Sequence, residues 1–417
     1  MSRANWQNIP LKRIVSSVQS GTSVNGAPWP AQGDELGVLK TSAVYGGVFR
    51  PAENKQVDSH DIDRVSCPVL AGSLIVSRMN TRQHLGVAAA VLHDYPDLFL
   101  PDRLWAVTFR GADPRFIDWW TKTLAYRTQV EAVCVGTSSS MQNISQGDFL
   151  ELRIDLPDPE TQGSIADYLD RETARIDTLI EEQQRLIELQ RERRAAVVDA
   201  ALAPLSSWTC TALKHVLDGI DQGVSPQAEA GLADEPGAWG VLKTGCVNRG
   251  VFRPKEHKRL PDGFPFDPAI AVEEGDVIVS RASGSPDLVG SAAIVEHLDY
   301  RLILSDKLFR LQPRRSTDSR FLAWSLNSGR YRIQVRRAIS GADGLANNLP
   351  LSKLRGFEMH FPSLEEQRRI AAYLDDQTAK IDMLIVETER FIELARERRS
   401  ALITAAVTGE IDVRGVA

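Results

Sequence analysis

The residues best suited to nucleophilic or metal chemistry are four cysteines, Cys67, Cys134, Cys210 and Cys246, and seven histidines. No two cysteines make a Cys-x-x-Cys pair, and none has the spacing of zinc ligands. The histidines (60, 84, 93, 215, 257, 297 and 360) are scattered along the chain. Walker loop, Gly-x-Ser-x-Gly elbow and His-Glu-x-x-His helix are all missing, as are the Asn-Pro-Pro-[Phe/Tyr] and Phe-x-Gly-x-Gly methyltransferase signatures. Asp102 and Asp306 occupy matched positions beside Arg103 and Lys307, which reads as a turn or a structural ion pair. Without an acid/base cluster, the chain reads as a binding module and not as an enzyme. No cofactor or metal is expected on it.

The strongest chemical signal is cationic. Residues 301–340 hold Arg301, Lys307, Arg310, Arg314, Arg315, Arg320, Arg330, Arg332, Arg336 and Arg337, against Asp306 and Asp318. Such a field selects a phosphate backbone. The formal net charge is nevertheless −6. The acidic excess lies in segments 157–205 and 362–410, which leaves the rest free to carry basic faces. At 417 residues, 43% apolar and 25% charged, the chain is long enough for two to four ordinary domains. No apolar run reaches the roughly 18 residues of a membrane span. Met1 to Trp6 offers no apolar signal region. The expectation is a reduced, cytoplasmic protein without a membrane partner.

These residues sit in a duplicated frame. Gly37-Val38-Leu39-Lys40-Thr41 recurs as Gly240 to Thr244, and Gly47 to Pro51 as Gly250 to Pro254. Ile75-Val76-Ser77-Arg78 recurs as Ile278 to Arg281. Tyr126-Arg127 with Gln129-Val130 recurs as Tyr331-Arg332 with Gln334-Val335. So many matches at a period of about 203–205 residues mean two copies of one unit. In each copy, residues 1–156 or 206–361 mix short β-branched runs with Gly and Pro. They read as strands and loops, plus one helix near 116–133 and 321–339.

The rest of each copy is a long helix. Ile165, Leu169, Ile176, Ile180 and Ile187 match Ile370, Leu374, Ile381, Ile385 and Ile392. Spacings of 4 and 7 keep each set on one stripe. Asp158-Pro159 offers an N-cap with proline at the first helical position. Ser363 to Glu366 offers a capping box, and Pro204 and Gly409 mark the stops. Each helix should run roughly 60–70 Å at 1.5 Å per residue. The two stripes are expected to pair antiparallel, with an internal pseudo-two-fold repeat.

The second copy of the helix opens with Pro362, Glu366, Gln367, Ile370, Ala371, Tyr373, Leu374 and Asp375 in the phrase Pro-x-x-x-Glu-Gln-x-x-Ile-Ala-x-Tyr-Leu-Asp. The first keeps Pro157, Gln162, Ile165, Ala166, Tyr168, Leu169 and Asp170, with Thr161 in place of Glu. Thr-Ala-x-Ile-Asp-x-Leu-Ile, Ile-Glu-Leu and Arg-Glu-Arg-Arg follow in both. In these motifs and in its globular–helix–globular–helix order, the chain resembles the specificity (S) subunits of type I restriction-modification systems, the HsdS family. The resemblance implies an α+β fold in which two mixed α/β target-recognition domains (1–156 and 206–361) are separated by a long two-helix antiparallel coiled coil (157–205 and 362–410), with a short tail, 411–417. It also implies double-stranded DNA as target, two methyltransferase (M) subunits docked on the helices, and restriction (R) subunits joined through them. S-adenosylmethionine, ATP and Mg would sit on those partners. The apolar residues Leu179, Leu186, Leu189, Leu384, Phe391 and Leu394 lie beyond the stripe and leave surface for partners. The residues alone leave another class open, a coiled-coil scaffold with duplicated protein-binding domains. An S-like subunit of a modification-only system also remains open.

Direct readout of bases needs Arg, Lys, Asn, Gln, Ser or Thr in the major groove. One loop supplies Arg78, Asn80, Thr81, Arg82 and Gln83, with Arg281, Ser283 and Ser285 in the second copy. Another supplies Ser138, Ser139, Gln142 and Asn143, with Asn347 and Asn348. Both loops differ between copies where the flanking strands match, as two related readers of different targets would. Lys40, Thr41, Lys243 and Thr244 match between copies and suit phosphate contacts, as do Arg332, Arg336 and Arg337.

Overall fold

The computed structural model describes residues 6–138, 141–339 and 347–413. The chain forms two compact units, Met1–Gln184 with Arg390–Ala417, and Arg185–Glu389. Each unit therefore combines one globular part with one end of each long helix.

In the first unit, an antiparallel sheet runs Val15–Ser20, Leu104–Phe109, Leu74–Ser77, Ala88–Ala90. Both its faces are covered, which is why Leu74-Ile75-Val76 is apolar without alternation. Leu74, Val76, Trp105 and Val107 face the helices, and Ile75, Leu104 and Ala106 face a second core. That second core packs beneath a smaller sheet in which Gly37–Leu39 runs parallel to Tyr95–Phe99. The second unit repeats the plan with Leu217–Gln222, Leu308–Pro313, Val277–Ser280 and Ala292–Ile294. Its Trp239–Leu242 likewise runs parallel to Arg301–Ile303.

The single helix expected in each globular part is two. Pro114–Thr121 is followed by Leu124–Val133, and Ser319–Ser325 by Gly329–Ala338. The break is made by a hydroxyl. Thr123 and Ser328 accept the amides of Tyr126 and Tyr331 and so cap a new helix.

The long helices span Pro159–Ala201 and Leu364–Val407. Asp158 caps the first by accepting the Thr161 amide at 3.0 Å, and Ser363 the second by accepting that of Glu366. Gly409, at φ +72°, closes the second, with Glu410 N–H on the Ala405 carbonyl and Gly409 N–H on that of Ala406. They run antiparallel. Asp177 bonds Arg399 in the first unit, and Asp382 bonds Arg194 in the second. The stripe does not serve pairing alone, however. Ile165 and Leu169 belong to the first globular core, together with Ile403, Ala406 and Val407 from the far end of the second helix. Leu374 belongs to the second core, with Val198 and Leu202, and the partly buried Ile370 packs against it. Ile180, Ile187, Ile381 and Ile392 are buried further along, and Ile176 and Ile385 half-buried. A helix root is cheaper to hold when its first three turns enter a domain core than when they stand free.

The repeat also reveals an isosteric exchange. His257, fully buried, accepts the Ala233 amide at Nε2 and bonds the Pro254 carbonyl at Nδ1. In the first unit Asn54 performs both tasks, accepting from Ala31 and donating to Pro51. His257→Asn is therefore expected to cost no more than about 1 kcal/mol. His257→Leu strands two buried backbone groups and should cost about 2–4 kcal/mol. Denaturant melts of the two variants, followed in the second unit, check this. Equal losses would show that ring packing against Tyr300, not hydrogen bonding, sets the position.

Candidate nucleic-acid interface

The two loops that hold the candidate base-reading side chains lie about 60 residues apart in sequence, and the fold pairs them. Met79–Asn80 forms a short antiparallel ladder with Met141–Asn143, placing Asn80 opposite Gln142. The second unit does the same, with Ala282 opposite Asn348 and Ser283 opposite Asn347. The next amide extends each ladder: Ile144 donates to the Arg78 carbonyl, and Leu349 to that of Arg281. Two separate loops thus become one tip in each unit. Ser139 lies outside the described residues, as does 340–346. Ser138 closes the hairpin opposite Met141 through its backbone.

Arg78 and Arg281 stand at the base of each tip over an aromatic ring, 5.5 Å from Trp105 and 5.8 Å from Phe309. Their amides are held by the carbonyls of Arg103 and Lys307. The side chains of Arg103 and Lys307 are exposed. Asn80 is half-buried in a network. Its Nδ2 donates to Tyr45 Oη and Ser77 Oγ, and its Oδ1 accepts the Thr81 amide. Tyr45 also meets Thr41 at 3.3 Å and stacks on His84, ring centroids 3.9 Å apart. The fold thereby joins a phosphate candidate, Thr41, to a base candidate, Asn80. Tyr45 was missed. The available signal was its replacement by Asn248 in a short variable stretch between the matched Lys40-Thr41/Lys243-Thr244 and Gly47 to Pro51/Gly250 to Pro254 segments.

Thr81, Arg82 and Gln83 are exposed at the tip, as is Ser285, and Ser283 is half-buried. Arg82 makes an exposed ion pair with Glu131, whose carboxyl is held below its ordinary value by hydrogen bonds from Arg127 and Arg82. Gln142 accepts from the Cys134 thiol, and Asn143 carries a buried, unpartnered Oδ1. Lys40 is half-buried and Lys243 exposed, and neither makes an ion pair among the described residues. Thr244 is half-buried. Arg336 reaches Asp287 and Arg337 is exposed. Arg332 departs from the expectation of a phosphate contact. It is half-buried and donates to the carbonyls of Val289, Pro286 and Asp287. Burial lowers its pKa. No cluster of metal-ligating side chains occurs among the described residues, and no helix there is long and apolar enough to cross a membrane.

No family model matches the chain. It is 24% identical over 311 residues to the type I restriction enzyme StySPI specificity subunit of Salmonella potsdam, covering 72% of this chain and 65% of that one. It is 26% identical over 178 residues to the EcoEI specificity subunit of Escherichia coli, covering 42% and 30%. The fold matches the HsdS subunit of Thermoanaerobacter tengcongensis with a TM-score of 0.54 at 19% identity, covering 98% and 97% of the chains. A chain from a structure of complex assembly in a type I restriction-modification system matches at 0.69 and 18% identity, with 98% of each covered. In sequence the chain is similar to type I specificity subunits, and in fold to HsdS structures. Its matches span less than two thirds of the length of these curated relatives.

The motif that opens each long helix has a physical reading here. Gln162, fully buried, accepts the Asp113 amide and donates to the Pro157 carbonyl; Gln367 does the same for Asp318 and Pro362. Asp170 and Asp375, which end the Tyr-Leu-Asp phrase, accept the indole N–H of Trp119 and Trp324 at 2.9 and 2.8 Å. Arg115 and Arg320 bond the same carboxylates. In each unit the motif therefore bolts the helix root to its globular part. Further along, the long helices leave apolar side chains exposed. Leu179, Phe391 and Leu394 are exposed in the first unit, and Leu186, Leu189, Met383, Leu384 and Val386 in the second.

Proposed function

We propose that this chain is the DNA-specificity subunit of a type I restriction-modification complex. Each globular part reads one half of a split, non-palindromic target, and the helices set the gap. The observation that carries this reading is the tip found twice: one ladder, one basic anchor, and different side chains, Asn80, Arg82 and Gln142 against Ser283, Ser285 and Asn347. A shared scaffold with divergent tips is what two related readers of unlike half-sites require. Lys40, Thr41, Lys243, Thr244, Arg336 and Arg337 contact phosphates. The exposed apolar faces of the helices dock two methyltransferase subunits, and restriction subunits join through these. S-adenosylmethionine, ATP and Mg belong to those partners. The chain itself catalyses nothing and acts in the cytoplasm.

Methylation mapping in cells that express the chain with its methyltransferase partner tests the whole reading. A bipartite modified sequence is expected, and unmodified DNA would defeat it. Exchanging 78–90 and 136–148 for the same loops of another specificity subunit should then change one half-site only. Arg82→Ala is expected to weaken binding to the first half-site by about 1–3 kcal/mol, while Lys40→Ala weakens all sequences alike and flattens the salt slope. Equal loss on target and random DNA for Arg82→Ala would move that side chain to the backbone-contact class.

A further inference from the structure

The Tyr-Arg-x-Gln-Val segment, present in both copies at 126–130 and 331–335, has no part in the reading just given. We propose that Arg127 and Arg332 are positioning residues that hold the two DNA-reading loops in their binding shape without touching DNA; this rests on the specificity-subunit reading above.

The bonds from the guanidinium to loop carbonyls recur in both copies, although Tyr331 Oη, unlike Tyr126 Oη, has no hydrogen-bond partner among the described residues. Arg127 donates to the carbonyls of Leu85 and Arg82. Arg332 donates to those of Val289 and Pro286, the matching positions, and to Asp287 as well. The loop sequences differ, Arg82 to Leu85 against Pro286 to Val289, but the bonds go to main-chain oxygens and are indifferent to side chains. That is what a clamp must do if the tips above it are to vary. The rest of the segment supports the same task. Tyr126 Oη donates to the Gly86 carbonyl at 2.6 Å. Gly86 and Gly290, at φ +73° and +76°, lie so close to Val130 and Val335 that a Cβ would fall 2.8 and 2.9 Å from them. Gln129 and Gln334 each bond both the amide and the carbonyl of one residue, Arg153 and Glu358, on the strand before the long helix.

A planar guanidinium fork can bridge two carbonyls three residues apart; an ammonium on a flexible stem cannot hold both in one geometry. Bridging removes loop conformers before binding, so less ordering cost remains when DNA arrives. A guanidinium committed to carbonyls has no fork left for a phosphate.

The test compares full-length wild type, Arg127→Lys and Arg127→Met with the partner methyltransferase. The probes are a duplex bearing the mapped target, one with the first half-site scrambled, and one with the second scrambled. Arg127→Met is expected to lose about tenfold or more in affinity for the intact target, with random-sequence affinity and salt slope unchanged. Arg127→Lys is expected to behave like Arg127→Met, because the fork and not the charge is needed. Arg332→Lys should act on the second half-site alone and gives an independent reading should Arg127→Met fail to fold. Full binding by the lysine variants would overturn the proposal, as would a salt slope reduced by about one in Arg127→Met, which marks a phosphate contact. If wild type itself does not distinguish target from scrambled DNA, the specificity-subunit reading fails instead.

Discussion

Deleting residues 390–417 is expected to unfold the first globular part and leave the second folded. The deleted segment lies far from residues 1–156 in sequence, yet Ile403, Ala406, Val407 and Val413 are buried in the first core, with Leu402 and Ile411 packed against it. Arg399 bonds Asp177 in the same unit. Truncating one buried aliphatic side chain costs about 2–5 kcal/mol, and a whole domain is stable by only about 5–15 kcal/mol. Losing this set exceeds what the domain can absorb. The second core draws on Val198, Leu202, Ala371 and Leu374 and keeps all of them. Hydrogen exchange resolved by segment checks the outcome; persistent protection of Leu74–Ser77 and Leu104–Phe109 would contradict it. The repeat also predicts a rescue. Val198, Ala201 and Leu202 match Ile403, Ala406 and Val407 in the repeat, and Arg194 matches Arg399. A fragment of residues 1–205 should therefore fold as a two-fold dimer, each copy lending its helix end to the other's core, with stability that rises with concentration. Under the proposed function its target becomes a palindrome of the first half-site. A folded monomer in sedimentation at tens of micromolar would contradict the exchange.

Arg310→Met is expected to destabilise the second unit by about 3–5 kcal/mol, because it strands buried charge. Arg310 is the centre of a charged cluster on the main sheet of that unit. It bonds Asp221 at 2.6 Å, reaches Asp276 at 3.4 Å and donates to the carbonyls of Ala269 and Ala271. The matching positions in the first unit are Ala106, Gln19 and Ser73, with no charge at all. The cluster is therefore not needed for the fold; what the fold cannot tolerate is half of it. The triple change Arg310→Ala, Asp221→Gln, Asp276→Ser should recover all but about 1–2 kcal/mol. The pH dependence has a definite sign. Burial raises the Asp276 pKa, so the folded state holds this proton to higher pH than the unfolded chain. Its desolvation then counts against folding once pH rises past the ordinary carboxylate value, and without Arg310 the effect grows. The difference between variant and wild type should shrink as pH falls. Calorimetry at several pH values checks this, and a difference independent of pH would assign the loss to packing.

Much of this was legible in the chain itself. The duplication, the two long helices, their capping residues Asp158 and Ser363 and their stop at Gly409 depend on local chemistry, in which a residue acts on neighbours within one turn. So does the contrast between matched strands and unmatched tips. The motif Pro-x-x-x-x-Gln with Tyr-Leu-Asp stood out for the same reason, although its task, the bonds of Gln162 to Asp113 and of Asp170 to Trp119, spans about 50 residues and could not be read. What tertiary structure alone decided is where distant segments meet. A stripe of Ile and Leu specifies burial but not the partner, so Ile165 and Leu169 could as well have faced a helix as a domain core. A guanidinium is satisfied by phosphate or by carbonyl oxygen alike, so Arg332 was open until Pro286 to Val289 were brought against it. Asn80 and Gln142 became one surface only when a two-residue ladder joined them. Sequence determines which groups must be buried or paired, because that follows from their solvation; the fold determines with whom, because partners far apart in sequence are selected by packing.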